Sequence, residues 1–296
     1  MKEILRNCLL IGICFLFSAV VAFAGDTNTS PTEMAKRKTY RVSAPFVPEH
    51  NFAIGLVTTY FDYDEPKVME EDGFMYGVVG GYTYHGINKL MINASLEYSS
   101  GDLDYDGETW DGTPVREDTD DWIVECRFLV GHDYVLRGSM GYRKHLITPF
   151  IGIGYRYWND DIDGIGGYER EVEYLYSPIG LKTVSLLSDN WKWGISIEYD
   201  FFWGGKVKSH LSDAVPGLND PEVDQDFADG YGVRLSLRFK REFASNYALS
   251  IEPYIRYWDI DKSETETLTY YGTPVGYVWE PKNDTTSYGF RLSFEF

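Results

Sequence analysis

The chain has 296 residues, a formal charge of −19 and three cysteines. This acidic balance argues against nucleic acid as a partner, because the phosphate backbone attracts basic proteins. Aromatic residues make up 17% of the sequence, including 24 tyrosines, yet the mean hydropathy is −0.31. Many aromatics without long apolar runs favour a fold in which apolar and polar positions alternate.

Residues 1–24 are predicted to be a secretory signal peptide. They combine a basic start, an almost wholly apolar stretch and an Ala-x-Ala site before Gly25. Cleavage there would leave Cys126 as the only cysteine and would exclude an internal disulfide. Residues 25–50 have no hydrophobic periodicity and are predicted to form a flexible periplasmic arm.

Residues 51–296 contain segments in which large apolar side chains alternate with small or charged ones. A period of two puts the two sets on opposite faces of a strand. The sixth segment is the least regular and contains Pro178. Because proline cannot donate to a hydrogen-bond ladder, this strand is predicted to carry a bulge or to start late. The ten segments lie near residues 52–61, 74–84, 90–98, 122–130, 149–158, 173–184, 191–201, 231–240, 249–257 and 288–296.

Short and long connections alternate between these segments. The long connections are predicted near residues 62–73, 101–121, 159–172, 204–229 and 259–286, and they hold most of the acidic residues. Nine aromatic residues lie at the loop-side ends of the predicted strands, and all of them are on the outward face. Aromatic rings are expected at this level, where they meet a membrane interface. The nine residues are Tyr60, Tyr76, Tyr98, Trp122, Tyr157, Tyr199, Tyr231, Tyr257 and Tyr288. The pattern predicts an all-β, closed antiparallel transmembrane barrel of ten strands, with eight or twelve left open.

The last segment carries a specific resemblance. Its alternate large residues are Tyr288, Phe290, Leu292, Phe294 and Phe296. This stretch resembles the terminal strand of bacterial outer-membrane β-barrels, in which it is the signal read by the insertion machinery. Residues 51–296 are similar to the small barrels of the OmpA-type and porin families. The resemblance implies a Gram-negative outer membrane, lipid and the insertion machinery as partners, acidic extracellular loops and periplasmic termini, and it leaves the oligomeric state open.

Charged residues of inward parity are predicted to line the lumen. They are Glu97, Glu125, Arg127, Arg156, Glu198, Arg234, Arg238, Glu252, Arg256, Arg291 and Glu295. A ten-stranded barrel is narrow, and isolated buried charges are costly, so pairing is expected. Trp158 and Trp258 also face inward and would fill space or narrow the mouth. We therefore expect a structural or surface-interaction barrel with a largely plugged lumen; the alternative is a narrow porin-like diffusion channel.

One metal-binding pattern occurs in the second long connection. Asp102, Asp104 and Asp106 before Gly107 match the first half of a calcium loop, D-x-D-x-D-G. The acid expected at position twelve is missing, because Thr113 stands there. The sequence therefore predicts weak Ca²⁺ binding or simply a solvated acidic loop, and it predicts no other cofactor.

A third alternative for the function is a surface protease similar to the omptins, which are ten-stranded outer-membrane barrels. Their site joins two aspartates on one side of the mouth to an Asp-x-His pair on the other. Asp102, Asp104 and His210 are similar to this arrangement in spacing. The chain departs from it at Lys208-Ser209-His210, where a positive charge stands in place of the carboxylate that should orient the imidazole. We therefore expect no enzymatic activity.

Overall fold

A computed structural model describes residues 47–296, apart from 109–111, 138–143, 163, 165, 189 and 244–246. The predicted signal peptide, 1–24, and most of the predicted arm, 25–50, lie outside the described residues. Ten strands form the main structure: β1 His50–Glu65, β2 Met69–His85, β3 Leu90–Glu108, β4 Pro114–His132, β6 Lys144–Ile162, β7 Glu169–Ser188, β8 Trp191–Ser209, β10 Gly230–Glu242, β11 Ala248–Ile260 and β14 Asn283–Glu295.

Every strand of this set pairs antiparallel with two neighbours. The ring runs from β1 through β2, β3, β4, β6, β7, β8, β10, β11 and β14 back to β1. At the closing seam, the Phe52 and Phe296 backbones exchange hydrogen bonds of 2.9 and 3.0 Å. The prediction of a closed ten-stranded barrel is confirmed, and the alternatives of eight and twelve strands are wrong.

Several shorter elements accompany the ten strands of the ring. The four-residue strand β5, Tyr134–Arg137, pairs with the start of β6, and β9, Glu222–Gln225, pairs with the end of β8. A short helix, α1, spans Leu211–Ala214. The hairpin β12–β13 spans Glu266–Tyr270 and Thr273–Val278. Within the described part of the chain, no helix is long and apolar enough to cross a bilayer.

Eight of the nine rings of the predicted aromatic girdle contact another ring of the set, and we call this level the belt. Ring centroids lie 5.3 Å apart for Tyr60 and Tyr288 and 6.0 Å apart for Tyr199 and Tyr231. On one side of the belt the outward side chains are apolar and exposed, as at Ile54, which suits contact with lipid. We call this part the membrane band. The barrel end beyond the belt is the loop end, and the opposite end, which holds Phe296, is the turn end.

Several strands run far beyond the belt. β3 has 19 residues, whereas about 9 to 11 suffice to cross a bilayer. The predicted long connections 62–73, 101–121 and 159–172 are therefore wrong: strands cover most of them, and only residues 66–68, 109–113 and 163–168 connect β1–β2, β3–β4 and β6–β7. The apolar alternation ends near the belt, but backbone pairing continues beyond it with acidic side chains.

The sixth predicted segment is the longest strand, β7, with 20 residues. A late start at Pro178 is therefore wrong. The expected irregularity is a register shift near it, because Leu175 pairs with Gly204 while Tyr176 pairs with Phe202. Gly204 has a φ of 155°, which favours glycine. Beyond this shift the parity of β8 reverses, so that Val207 is buried.

Candidate functional site

Ion pairs cross the lumen within the membrane band. Arg234 of β10 donates to Glu125 of β4 through two hydrogen bonds of 2.8 and 2.5 Å. Its Nε also donates to Asp200 of β8 at 2.5 Å. These three side chains are buried, so the bidentate pair ties two walls that are not neighbours in the sheet.

A second bridge holds Glu97 of β3. This carboxylate accepts bonds from Arg256 at 2.7 Å and from Arg291 at 2.6 Å. Arg291 also donates to Glu252 at 3.1 Å. Glu97 and Glu125 stand directly opposite each other on β3 and β4, a repulsive placement by itself. The guanidinium groups that cross the lumen offset that repulsion.

The remaining sequence-predicted lumen charges lie nearer the turn end, with one exception. Arg238 and Lys240 both donate to Glu295, and Arg127 donates to Glu198. The exception is Arg156, whose guanidinium lies 5.7 and 5.9 Å from the ring centroids of Phe61 and Tyr174. Ten of the eleven charges therefore have an ionic partner, and the eleventh lies over aromatic rings.

A cavity of about 230 Å³ occupies the turn end of the lumen. Cations dominate its walls: Arg127, Lys182, Lys192, Arg234, Arg238, Lys240, Arg256 and Arg291. The Lys182 ammonium has no hydrogen bond or ion pair with the side chain of any other described residue, and its Nζ lies 5.1 Å from the Phe150 ring centroid. Val47 and Pro48 lie at the wall of the cavity. This space is a basic vestibule at the end of the barrel that carries Phe296.

An aromatic layer fills the lumen beyond the ion pairs. Trp158 and Trp258 are each 1% exposed, and both face inward as predicted. The Trp158 ring meets Phe61 at 5.2 Å, and the Trp258 ring meets Tyr176 at 5.1 Å. Phe202 and Tyr174 complete the layer. It separates the basic vestibule from the loop end.

Beyond the aromatic layer lies a buried acidic cluster that sequence reasoning missed. It consists of Glu71, Asp121 and Asp160, from β2, β4 and β6. Burial, and then the charge of Asp160, raise the pKa of Asp121 to about 7. Burial also raises the pKa of Glu71 and of Asp160. The inward face of a strand could have indicated these three acids, but they lie in segments that the sequence predicts to be loops.

Arg170 lies beside this cluster. Arg170 Nε donates to Asp160 at 2.8 Å, and its Nη1 donates to Glu65 at 2.9 Å. Tyr63 Oη lies 2.8 Å from both Glu65 and Glu280. Burial, and then the charge of Glu65, raise the pKa of Glu280 to about 8. The Arg170 guanidinium thus pairs with four carboxylates, those of Glu65, Glu71, Asp160 and Glu280.

The predicted calcium residues lie elsewhere. Asp102, Asp104 and Asp106 are exposed on the outer face of β3, so their placement in a loop is wrong. Side chains two residues apart on a strand are separated by about 6.7 Å, and in this conformation the three carboxylates do not converge on one ion. Asp106 pairs instead with Arg116 at 2.8 Å.

The omptin-like arrangement is also not formed by the residues that suggested it. His210 follows β8, and its Nε2 lies 2.8 Å from Glu171 of β7. Lys208 Nζ lies 3.9 Å from the same carboxylate. Asp102 and Asp104 face outward on β3, which is separated from β7 by β4 and β6. The aspartate pair and the histidine are therefore not brought together across the mouth.

Comparison with known proteins gives a likeness in structure only. No protein-family model and no curated protein matches the chain. The crystal structure of the outer membrane protease OmpT from Escherichia coli matches with a TM-score of 0.55 and 10% identity, covering 83% of this chain and 96% of that chain. Two other matches are weaker. They are the Pseudomonas putida toluene transporter TodX (TM-score 0.34, 11% identity, covering 84% and 90%) and the attachment invasion locus protein Ail of Yersinia pestis (0.33, 8%, covering 84% and 100%). With its closed ring of ten strands, the chain has the fold of an outer-membrane β-barrel.

Proposed function

We propose that this protein is a non-conducting, non-enzymatic barrel of the outer membrane whose loop end serves as an extracellular interaction surface. The observation that carries the proposal is the aromatic layer. It fills the lumen between the basic vestibule and the loop end, and the ion pairs of Arg234 and Glu97 bridge the lumen beside it. A channel would need a continuous hydrated path.

The loop end supports the second half of the proposal. Hairpin β12–β13 is held in place by Asn219, which accepts a bond from the Thr269 backbone at 2.6 Å. Its turn exposes 75% of Tyr271, in a left-handed conformation with a φ of 48°. Such turns usually take Asn, Asp or Gly, and exposed aromatics on an ordered surface are typical of interaction sites. Tyr277 and Trp279 extend this exposed aromatic surface.

The porin-like alternative draws support from the vestibule, which opens toward the turn end and is rich in cations. The two functions require different states of the aromatic layer. A conducting barrel needs this layer to be permeable, whereas in our proposal it remains closed.

Conductance in planar bilayers tests the proposal. We expect the refolded wild-type barrel to show no stable conductance, and we expect Trp158→Ala with Trp258→Ala to create one, because truncation opens the layer that separates the vestibule from the loop end. Tyr271→Ala, which changes only the exposed hairpin, is the matched control and should stay silent. Stable, anion-selective conductance in the wild-type protein would establish the porin alternative instead.

A further inference from the structure

The acidic cluster has the geometry of an ion-binding site. Glu71, Asp121 and Asp160 each contribute one carboxylate oxygen, and these oxygens lie within 4.8 Å of one another. All three residues are buried, and they come from three strands held in register by the barrel. Two oxygens on one Ca²⁺ ion are separated by at most about 4.8 Å, because Ca–O distances are about 2.4 Å.

In each of the three carboxylates, one oxygen is held by a donor outside the cluster and the other has none. Thr119 Oγ1 donates to Glu71 Oε1 at 2.9 Å, Trp158 Nε1 donates to Asp121 Oδ2, and Arg170 Nε donates to Asp160 Oδ2. The second oxygens, Glu71 Oε2, Asp121 Oδ1 and Asp160 Oδ1, are buried and have no hydrogen-bond donor among the described residues. Outer bonds that orient one oxygen and leave the other free are typical of metal sites.

The charge balance favours a cation at this point. Arg170 is the guanidinium in contact with the cluster, and its Nη2 lies 3.8 Å from Glu71 Oε2. It also pairs with Glu65 and Glu280, so its charge is shared among several acids. Buried carboxylates without compensation are costly. Oxygen-only donors select hard cations.

We propose that Glu71, Asp121 and Asp160 bind one Ca²⁺ ion inside the loop end of the barrel. The ion joins β2, β4 and β6 just beyond the aromatic layer and fixes the walls that support the loop-end surface. This site differs from the Asp102–Asp106 half-motif, which faces the outside of the same barrel. The proposal does not depend on whether the lumen conducts.

Terbium luminescence provides a direct test, because Tb³⁺ replaces Ca²⁺ at oxygen sites and is sensitised by a nearby indole. The barrel should be refolded in EDTA and then titrated with Tb³⁺. Since the Trp158 indole bonds to Asp121, we expect sensitised emission that Ca²⁺ displaces. Trp158→Phe should lose most of this emission, whereas Trp279→Phe, which changes an exposed residue just after the hairpin, should keep it.

Thermal unfolding provides a second measurement that needs no indole. At about a hundredfold excess of Ca²⁺ over its Kd, we expect the midpoint to rise by about 5 °C. Asp121→Asn with Asp160→Asn should abolish the rise. Asp102→Asn with Asp104→Asn is the matched control, with the same change in charge on the outer face, and should retain it.

Two results would overturn the proposal. One is a wild-type barrel whose midpoint does not respond to Ca²⁺ and whose tryptophans sensitise no terbium emission. The other is a Ca²⁺ response that survives in the cluster variant and disappears in the outer-face variant, which would assign binding to Asp102 and Asp104.

Discussion

Arg234 pairs with three carboxylates within the membrane band. It contacts Glu125, Asp200 and Glu198, the last at 3.3 Å, and its side chain is buried. A guanidinium in such a place depends on its partners, because the cost of removing it from water is repaid only by close carboxylates. The ion pairs of the lumen therefore act as one network rather than as separate bonds.

The first prediction follows from this network. Glu125→Ala removes both acceptors of the bidentate pair and should lower the free energy of unfolding by about 3 kcal/mol, because Arg234 is left partly uncompensated. Denaturant unfolding in detergent, followed by tryptophan fluorescence, measures the change. Glu252→Ala is the control, since its carboxylate is more exposed and is held by Arg291 and more loosely by Arg238. Equal losses in the two variants would contradict the network.

Glu280 at the loop end gives a pH prediction. Its folded pKa of about 8 lies above its ordinary value of 4.5, so the folded protein holds a proton that the unfolded chain has lost between these values. Stability should therefore fall as the pH rises from about 5 to 8. The groups that face Glu280 are Tyr63, Glu65, Arg170 and Asp160.

Unfolding midpoints measured in EDTA across this pH range check the prediction. Glu280→Gln stays neutral at every pH and keeps an amide beside Tyr63. We expect a shallower decline in this variant and a higher midpoint than wild type at pH 8. An unchanged slope would mean that other carboxylates, such as Asp121, carry the pH dependence.

At the scale of an element, β14 closes the ring by pairing with both β1 and β11. Its outward side chains are exposed in the membrane band, and Phe294 stacks with Tyr247 at 5.3 Å. The inward Gly289 lies close to β1, where an added Cβ would come within 1.9 Å of the Thr58 carbonyl oxygen. The strand thus combines an exposed apolar face with a seam that admits little extra volume.

The element-scale prediction concerns assembly. Phe294→Asp, or deletion of Phe296, should reduce the amount of barrel recovered in the outer-membrane fraction. The acid is unfavourable on a lipid-facing surface, and either change alters the terminal pattern that resembles an insertion signal. Tyr271→Asp adds the same charge on the loop-end hairpin and should assemble normally. Wild-type levels of both β14 variants would count against this role of the strand.

At the scale of the whole molecule, ring closure pairs every barrel strand on both edges. Unfolding must therefore break two ladders before a barrel strand is released, and none of the ten described strands of the ring offers an open edge to start the process. The cross-lumen ion pairs add ties between walls that are not neighbours.

Electrophoresis checks this property. Unboiled protein should remain folded in SDS and migrate differently from the boiled sample, because the closed ring resists the detergent until it is heated. Identical migration of boiled and unboiled samples, together with a mainly helical circular-dichroism spectrum, would contradict the architecture.

The sequence by itself determined the parity of each strand within the membrane band. A period of two assigns every side chain to one of two faces, so the girdle, the inward Trp158 and Trp258 and the charged lumen residues were all predictable. It did not determine where the strands end. The acidic extensions carry no apolar alternation, and Asp102–Asp106 consequently looked like a loop although its residues belong to β3.

Only the tertiary structure decided which inward residues meet. Partners such as Arg234 and Glu125 lie on strands that are separated around the ring. The distance between them depends on the number and the stagger of the strands. The alternation within one strand gives no information about either quantity. For the same reason, Glu71, Asp121 and Asp160 appear in the sequence as three unrelated acids among many. They become a single buried cluster because the β4–β6 register places Asp121 opposite Asp160, and the barrel brings the inward Glu71 of β2, two strands from β4, to the same level.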